Sequence, residues 1–333
     1  MQRDVRPRRG SAKILAVIIG VDLGGTNVRG AVVAPDGSMS NRCEMPSFAR
    51  EGVPKCLQAL RDLILEVAQG GKPDAVGIAI PGHINAIKGI VHWAPNFGEF
   101  VGGVLRIWDD VDVFTPLKGV TDGPIAIGND ANLAALGEYF HGCGEGKADG
   151  MVLYTLGTGV GTGVVVSPAG VQGRLDAPSV YIGHRGGAAE MGHVKVVTNG
   201  RACGCGSSGC LESYCGTAGL LLTASEAGIL VSSPKELYDA ALASDDAAIS
   251  AWRMFGEHLG IAVGNAINTW APEIVAIGGQ VAGAWELFAP ALETTALEQS
   301  ISSLSRSVRI MKAVEYDDAG ILGAAALARS AIA

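Results

Sequence analysis

The sequence predicts an α/β protein of two lobes built on a duplicated core, and three observations carry that prediction. First, an acidic, glycine-framed turn, Asp22-Leu23-Gly24-Gly25-Thr26-Asn27, is echoed in the second half of the chain by Leu156-Gly157-Thr158-Gly159-Val160-Gly161-Thr162-Gly163. Second, both turns are flanked by short apolar, β-prone runs, residues 14–21 and 31–33 around one and 151–154 and 164–166 around the other. That is the pattern of a strand–turn–strand hairpin. Third, strand-length apolar runs alternate with helical periodicity over 333 residues, a length that favours two domains over one core.

The elements follow in order. Residues 14–21 read as the first strand, and Val53–Ala68 has the apolar spacing of a helix closed by Gln69-Gly70-Gly71. Ala75–Ile80 is a buried strand ending in Pro81-Gly82-His83, a turn able to present backbone to a ligand, whereas 92–100 reads as a loop holding Asn96. A strand over 124–127 leads through Gly128-Asn129-Asp130 into a helix over 131–140, with a hinge between lobes expected near 128–140. After a glycine-rich connection over 141–150 and the second hairpin, residues 173–215 form an irregular insertion rich in glycine, histidine and cysteine. Helices are expected over 217–227, 234–243, Asp246–Trp270, 285–298 and 320–333, with strands over 273–277 and 308–313 and the turn Gly278-Gly279-Gln280 between.

Composition narrows the function. The 48 glycines are about twice the usual share and suit a chain of tight turns. A net charge of −8 argues against a partner as anionic as nucleic acid or a membrane surface. A small anionic substrate remains open, served by local loops and a metal ion. The basic leader over residues 1–13 reads as a loose tail. The apolar run behind it ends in Asp22 instead of a small-residue cleavage site, so it reads as strand and not as a signal peptide. No stretch has the length of a membrane span. Three of the seven cysteines crowd between 203 and 210, which points to one metal cluster in a cytoplasmic protein and away from a secreted disulfide framework.

The chemistry concentrates in a few motifs. Neither glycine turn is a P-loop or a G-x-G-x-x-G. Gly24, Gly25 and Thr26 could nevertheless donate to a phosphate while Asp22 holds a water on Mg²⁺. Asn129-Asp130, at a strand-to-helix junction, reads either as an N-cap or as a general base, Asp130, with Asn129 orienting the substrate. The spacing His193-x9-Cys203-x-Cys205-x4-Cys210 supplies one imidazole and three thiolates, the closed tetrahedral set of a structural Zn²⁺ site. Glu190 and Glu212 flank that cluster and read either as ordinary surface carboxylates or, tethered to one rigid knuckle, as paired acceptors for neighbouring sugar hydroxyls, in which case the second nitrogen of His193 could donate to the same substrate.

Taken together these motifs resemble the ROK family of repressors, open reading frames and sugar kinases. The two glycine turns resemble its phosphate loops, and Gly128-Asn129-Asp130-Ala131-Asn132 carries its catalytic aspartate. Glu190-Met191-Gly192-His193 followed by Cys203 to Glu212 matches its sugar and zinc motif at full spacing. The resemblance implies the actin-like ATPase (ribonuclease H-like) fold, with ATP and sugar in a cleft between lobes. The lobes are expected at 1–128 with 320–333, and at 129–319. It implies Asp130 as base, and Gly82, Asn96, Asn129, Asp130, Glu190, His193 and Glu212 around the sugar. It also implies Asp22, Gly24, Gly25, Thr26, Asn27, Thr158, Gly159, Gly278 and Gly279 around ATP and Mg²⁺, and His193, Cys203, Cys205 and Cys210 around Zn²⁺.

The activity this implies is transfer from ATP to a hexose, with glucose first. Mannose, fructose, allose, N-acetylglucosamine and N-acetylmannosamine are the alternatives, and polyphosphate is an alternative donor. A homodimer is also expected. The family's repressors place a DNA-binding module before the first phosphate loop. The 21 residues before Asp22 leave no room for one, so the regulator reading reduces to a non-catalytic sugar sensor.

Overall fold

The computed structural model describes residues 16–332 other than Tyr316, and of Pro95 the backbone alone. The basic leader, the first two residues of the predicted opening strand and Ala333 lie outside the described residues.

The first half of the chain builds β1 (Ile18–Leu23), β2 (Asn27–Val33), β3 (Met39–Pro46), helix α1 (Val53–Ala68) and β4 (Ala75–Ile80). An insertion of β5 (His83–Asn85), β6 (Ile90–Val101) and β7 (Val104–Asp112) follows, then β8 (Ile125–Asn129) and helix α2 (Asp130–His141). The second half repeats the plan with β9 (Gly150–Leu156), β10 (Val160–Val166) and β11 (Ser179–Val180). Next come the helices α3 (Glu212–Cys215), α4 (Thr217–Glu226), α5 (Pro234–Leu242) and α6 (Asp246–Trp270). The chain closes with β12 (Ile274–Gly278), α7 (Trp285–Gln299), α8 (Ser302–Ser305), β13 (Arg309–Lys312) and α9 (Ala319–Ser330).

The two main sheets have equivalent strand orders, β3-β2-β1-β4-β8 and β11-β10-β9-β12-β13. In each, an antiparallel hairpin continues into parallel strands, β1 with β4 and β4 with β8 in one, β9 with β12 and β12 with β13 in the other. The parallel strands β4 and β12 are buried along their whole length, as strands covered by helices on both faces must be.

The final helix of each half packs on the other half's sheet. Helix α2, which follows β8, lies on β9 and β10, while α9, which follows β13, lies on β1 and β4, and the two helices pack against each other. Their crossing needs an absent side chain: a Cβ at Gly323 would stand 1.6 Å from the carbonyl oxygen of Leu133. The buried carboxylate of Glu138 secures both chain passages between the sheets. It accepts the N–H groups of Cys143 and Val314, each at 3.2 Å, and that of Glu315. A carboxylate removed from water is tolerable where backbone donors replace its hydration.

One expectation fails. Residues 92–100 are not a loop but lie in β6, within a three-stranded sheet of order β5-β6-β7. The β6–β7 register shifts between Ala94 and Gly98, and this bulge, next to Pro95, interrupts the period-2 pattern by which strands are recognised. The buried pair Phe97 and Trp108, with ring centroids 5.1 Å apart, holds the two strands together.

Candidate active site

The first turn is a tight, open hairpin end. Gly24 donates to the carbonyl of Asn27 at 2.9 Å, and Ser47 donates to that of Thr26 at 2.9 Å. Gly25, Thr26 and Asn27 are exposed, and a Cβ at Gly25 would meet nothing within 4 Å. The backbone there is free to approach an anion. Asp22 stands opposite Arg29 in the β1–β2 register, and its Oδ2 accepts from that guanidinium at 2.6 Å. The other oxygen, Oδ1, accepts no hydrogen bond within the described residues. The Asn27 amide donates to Glu44 on β3 at 2.5 Å, so its side chain braces the hairpin.

Across the cleft, the second turn is held by its neighbours. Thr158 is exposed at its tip, Val160 N–H donates to Glu212 Oε2 at 3.0 Å, and the Thr217 hydroxyl donates to the Gly157 carbonyl at 2.8 Å. Gly278 ends β12 opposite Thr155. Gly279 has φ +82°, and a Cβ there would stand 2.3 Å from the Leu156 carbonyl oxygen, so only glycine brings this turn against the phosphate-loop strand. Beside them lies a cavity of about 600 Å³ whose lining includes Gly157, Thr158, Thr217, Lys235, Gln280 and Ala284. Gly157, Thr158 and Gln280 belong to turns read from the sequence, whereas Thr217, Lys235 and Ala284 carry no motif there.

Asp130 begins α2, where its Oδ1 accepts from the Ala131 N–H at 2.9 Å. Burial pushes its carboxyl up to about 6, and the nearby charges of Asp22 and Glu190 push the same way, while that N–H pulls against them. Desolvation wins because the helix donor replaces only part of the lost hydration. Asn129 performs the capping role: its Oδ1 accepts from Asn132 N–H at 3.1 Å and its Nδ2 donates to the Gly82 carbonyl at 3.1 Å. One amide hydrogen remains for a ligand.

Glu190 is half exposed, with His83 Nε2 3.4 Å from its Oε1. His83 thereby joins the site from β5, a residue visible in the sequence only as the end of the Pro81-Gly82-His83 turn. Asn96 sits exposed on the bulged part of β6 and makes no hydrogen bond to the other site residues.

His193, Cys203, Cys205 and Cys210 converge so that their ligating atoms all lie within 4.8 Å of one another. Four-coordinate zinc with Zn–S near 2.3 Å sets its sulfurs about 3.8 Å apart. Cys205 and Cys210 stand 3.7 Å apart, and Cys203 Sγ is 3.6 Å from His193 Nδ1, so the donor set fits such an ion. The Ser207 N–H holds the Cys205 thiol below its ordinary value, which favours the thiolate that a metal requires. Among the described residues no helix is long and apolar enough to cross a membrane.

Comparison with known proteins identifies the family and the fold. The model of the ROK family matches residues 18–331. The glucokinase of Thermotoga maritima is 33% identical over 95% of this chain and 98% of its own. Among solved structures, the ROK hexokinase of Thermus thermophilus superposes with TM-score 0.77 at 28% identity, covering 95% of this chain and 98% of that one. A ROK family glucokinase from Streptomyces griseus, in complex with glucose and AMPPNP, superposes with TM-score 0.74 at 26% identity over 94% and 99%. With a family model spanning nearly all of it and a relative this similar over its full length, the chain belongs to the ROK family.

Proposed function

We propose that the protein is an ATP-dependent hexose kinase that converts glucose to glucose 6-phosphate, with Asp130 as general base. The observation that carries this reading is the position of Asp130. Its carboxyl, at the start of α2, is raised to about 6 by burial and lies within electrostatic reach of Asp22 from the first glycine turn and Glu190 from the insertion. A base of that strength is ionised at neutral pH and still basic enough to take a hydroxyl proton. The full-length likeness to glucokinases and hexokinases supports the same activity.

In this reading the sugar is held by Glu190, His193 and Glu212 from the insertion and by Gly82, Asn96 and Asn129 from the other side. Asp130 accepts the proton of the 6-hydroxyl as the hydroxyl oxygen attacks the γ-phosphorus of ATP, and the bond from that phosphorus to the β–γ bridging oxygen breaks to release ADP. Gly24, Gly25 and Thr26 of the first turn and Thr158 and Gly159 of the second donate to the phosphates, and Asn27 keeps the first turn in shape. Gly278 and Gly279 lie along the adenosine. Mg²⁺, when bound, would neutralise charge on the transferred phosphoryl group, and Asp22 would hold its water. Zn²⁺ on His193, Cys203, Cys205 and Cys210 is structural, since four protein ligands leave no open position.

The lobes divide at 1–128 with 320–333 against 129–319, which the exchange of α2 and α9 supports. Their closure would exclude water that otherwise competes for the phosphoryl group. The protein is expected to act in the cytoplasm, as a homodimer, without nucleic acid or membrane.

A panel assay tests the reading. Sugar-dependent ADP formation with Mg-ATP is measured on glucose, mannose, fructose, allose, N-acetylglucosamine and N-acetylmannosamine. Glucose is expected to dominate. A different preferred sugar changes the substrate and keeps the reaction, whereas no turnover on any of them, with sugar still bound, leaves a sugar sensor.

A further inference from the structure

Thr162 belongs to the second glycine run, yet its hydroxyl does not face the phosphate side. The residue is 6% exposed on β10, and both capacities of its Oγ1 are spent on the sugar-binding insertion. It donates to the carbonyl of Ala189 and accepts from the N–H of Met191 at 3.1 Å. Those two peptide groups bracket Glu190. The bracket restrains an unfavourable backbone: Ala189 has φ +63°, in the left-handed region that residues with a Cβ seldom occupy unless their surroundings fix them.

The stretch so fixed leads directly into the turn Met191–His193, where the His193 N–H donates to the Glu190 carbonyl at 3.0 Å. Two further contacts from the same strand reach the same elements. Val160 N–H holds Glu212 at 3.0 Å, and a Cβ at Gly192 would stand 2.2 Å from the Val160 carbonyl oxygen.

We propose that Thr162 is a positioning residue of the sugar site, its single hydroxyl setting the backbone of Glu190 so that the acceptors of the insertion stay in register with the phosphate-loop strand. This rests on the kinase reading and extends it. A hydroxyl that both donates and accepts can clamp two peptides at once; a methyl group can do neither, and would leave a buried carbonyl and N–H unpaired.

The test compares Thr162→Val, Thr162→Ser and wild type by steady-state kinetics, calorimetric titration with glucose, and melting temperature. In Thr162→Val, KM and Kd for glucose should rise about tenfold or more, as expected for two lost buried hydrogen bonds, while KM for ATP moves less than about twofold. Thr162→Ser, which keeps the hydroxyl, should return glucose affinity to within about threefold of wild type. Thr162→Ala gives the same contrast without added bulk if the valine variant does not fold. Unchanged glucose affinity in a folded Val or Ala variant overturns the proposal. So does a parallel rise in both KM values that tracks the loss of melting temperature, because that marks a purely structural role. Should wild type bind glucose without phosphorylating it, the kinase reading fails, and the calorimetric comparison still decides the role of Thr162.

Discussion

The two glycine turns occupy equivalent places in equivalent sheets, between β1 and β2 and between β9 and β10, yet they are held in different ways. The first is braced from behind by its own hairpin, through Asp22 with Arg29 and Asn27 with Glu44, and Gly25 is open in front. The second is gripped from outside by the insertion and the helices after it, through Glu212, Thr217 and the peptides beside Glu190. One turn is a free cradle; the other is wired to residues proposed to hold the sugar. A duplicated fold thus acquires distinct roles through what is inserted into each copy: β5–β7 in the first, and the cysteine-rich segment with its helices in the second.

Substitutions can break this comparison at several levels. The most severe falls on what the halves share. Gly323→Val should drive side-chain atoms into the Leu133 carbonyl at the α2–α9 crossing and cost roughly 3 kcal/mol or more, read as a collapse in melting temperature or in soluble yield. A normal melting curve would mean the helices do not cross as described.

Cys205→Ser should come next. It removes one of four converging ligands, and metal analysis should find bound zinc lost and glucose affinity down by about 10- to 100-fold, with ATP affinity much less affected. Equal losses for both substrates would dissolve the distinction between the two turns.

Glu212 sharpens that distinction. Glu212→Gln keeps an acceptor for Val160 N–H and should raise KM for sugar about tenfold through the lost charge, leaving KM for ATP near its original value. Glu212→Ala also frees the second turn and should raise both. If the two variants behave alike, the carboxylate does not link the sites.

The smallest effect is in pH. In the proposed role Asp130 would work only when ionised, and its carboxyl is raised to about 6. The rate should therefore be flat above neutrality, half-maximal near pH 6 and fall about tenfold per unit below it. An acid limb centred near the ordinary carboxylate value would remove the desolvation argument.

Much of this was legible in the sequence, for identifiable reasons. The hairpins announce themselves by glycine turns between apolar runs, and α1 and α6 by sustained helical periodicity. The four candidate zinc ligands stand out by residue type and spacing alone. What was hidden has no such local mark. Strand β3 is largely polar and lies at a sheet edge, where only one face needs burial, and the bulge in β6 breaks the alternation of the inserted sheet. The exchange of α2 and α9 has no local mark beyond an excess of small residues, and it was foreseen only through the lobe bounds that the family resemblance implies. Lys235 comes to the site with no motif, His83 and Gln280 stand in the sequence only as the ends of glycine turns, and Thr162 reads as part of a phosphate loop until its hydroxyl is seen to face the other way.

The central claim, that both halves converge on one base, is tested most directly by Asp130→Ala. Glucose binding by calorimetry and single-turnover phosphorylation with Mg-ATP are measured on the same preparation. The account predicts glucose affinity within a fewfold of wild type and phosphoryl transfer slowed about 10²- to 10⁴-fold. Transfer at the wild-type rate, with glucose bound, would contradict it and place the base elsewhere in the cleft.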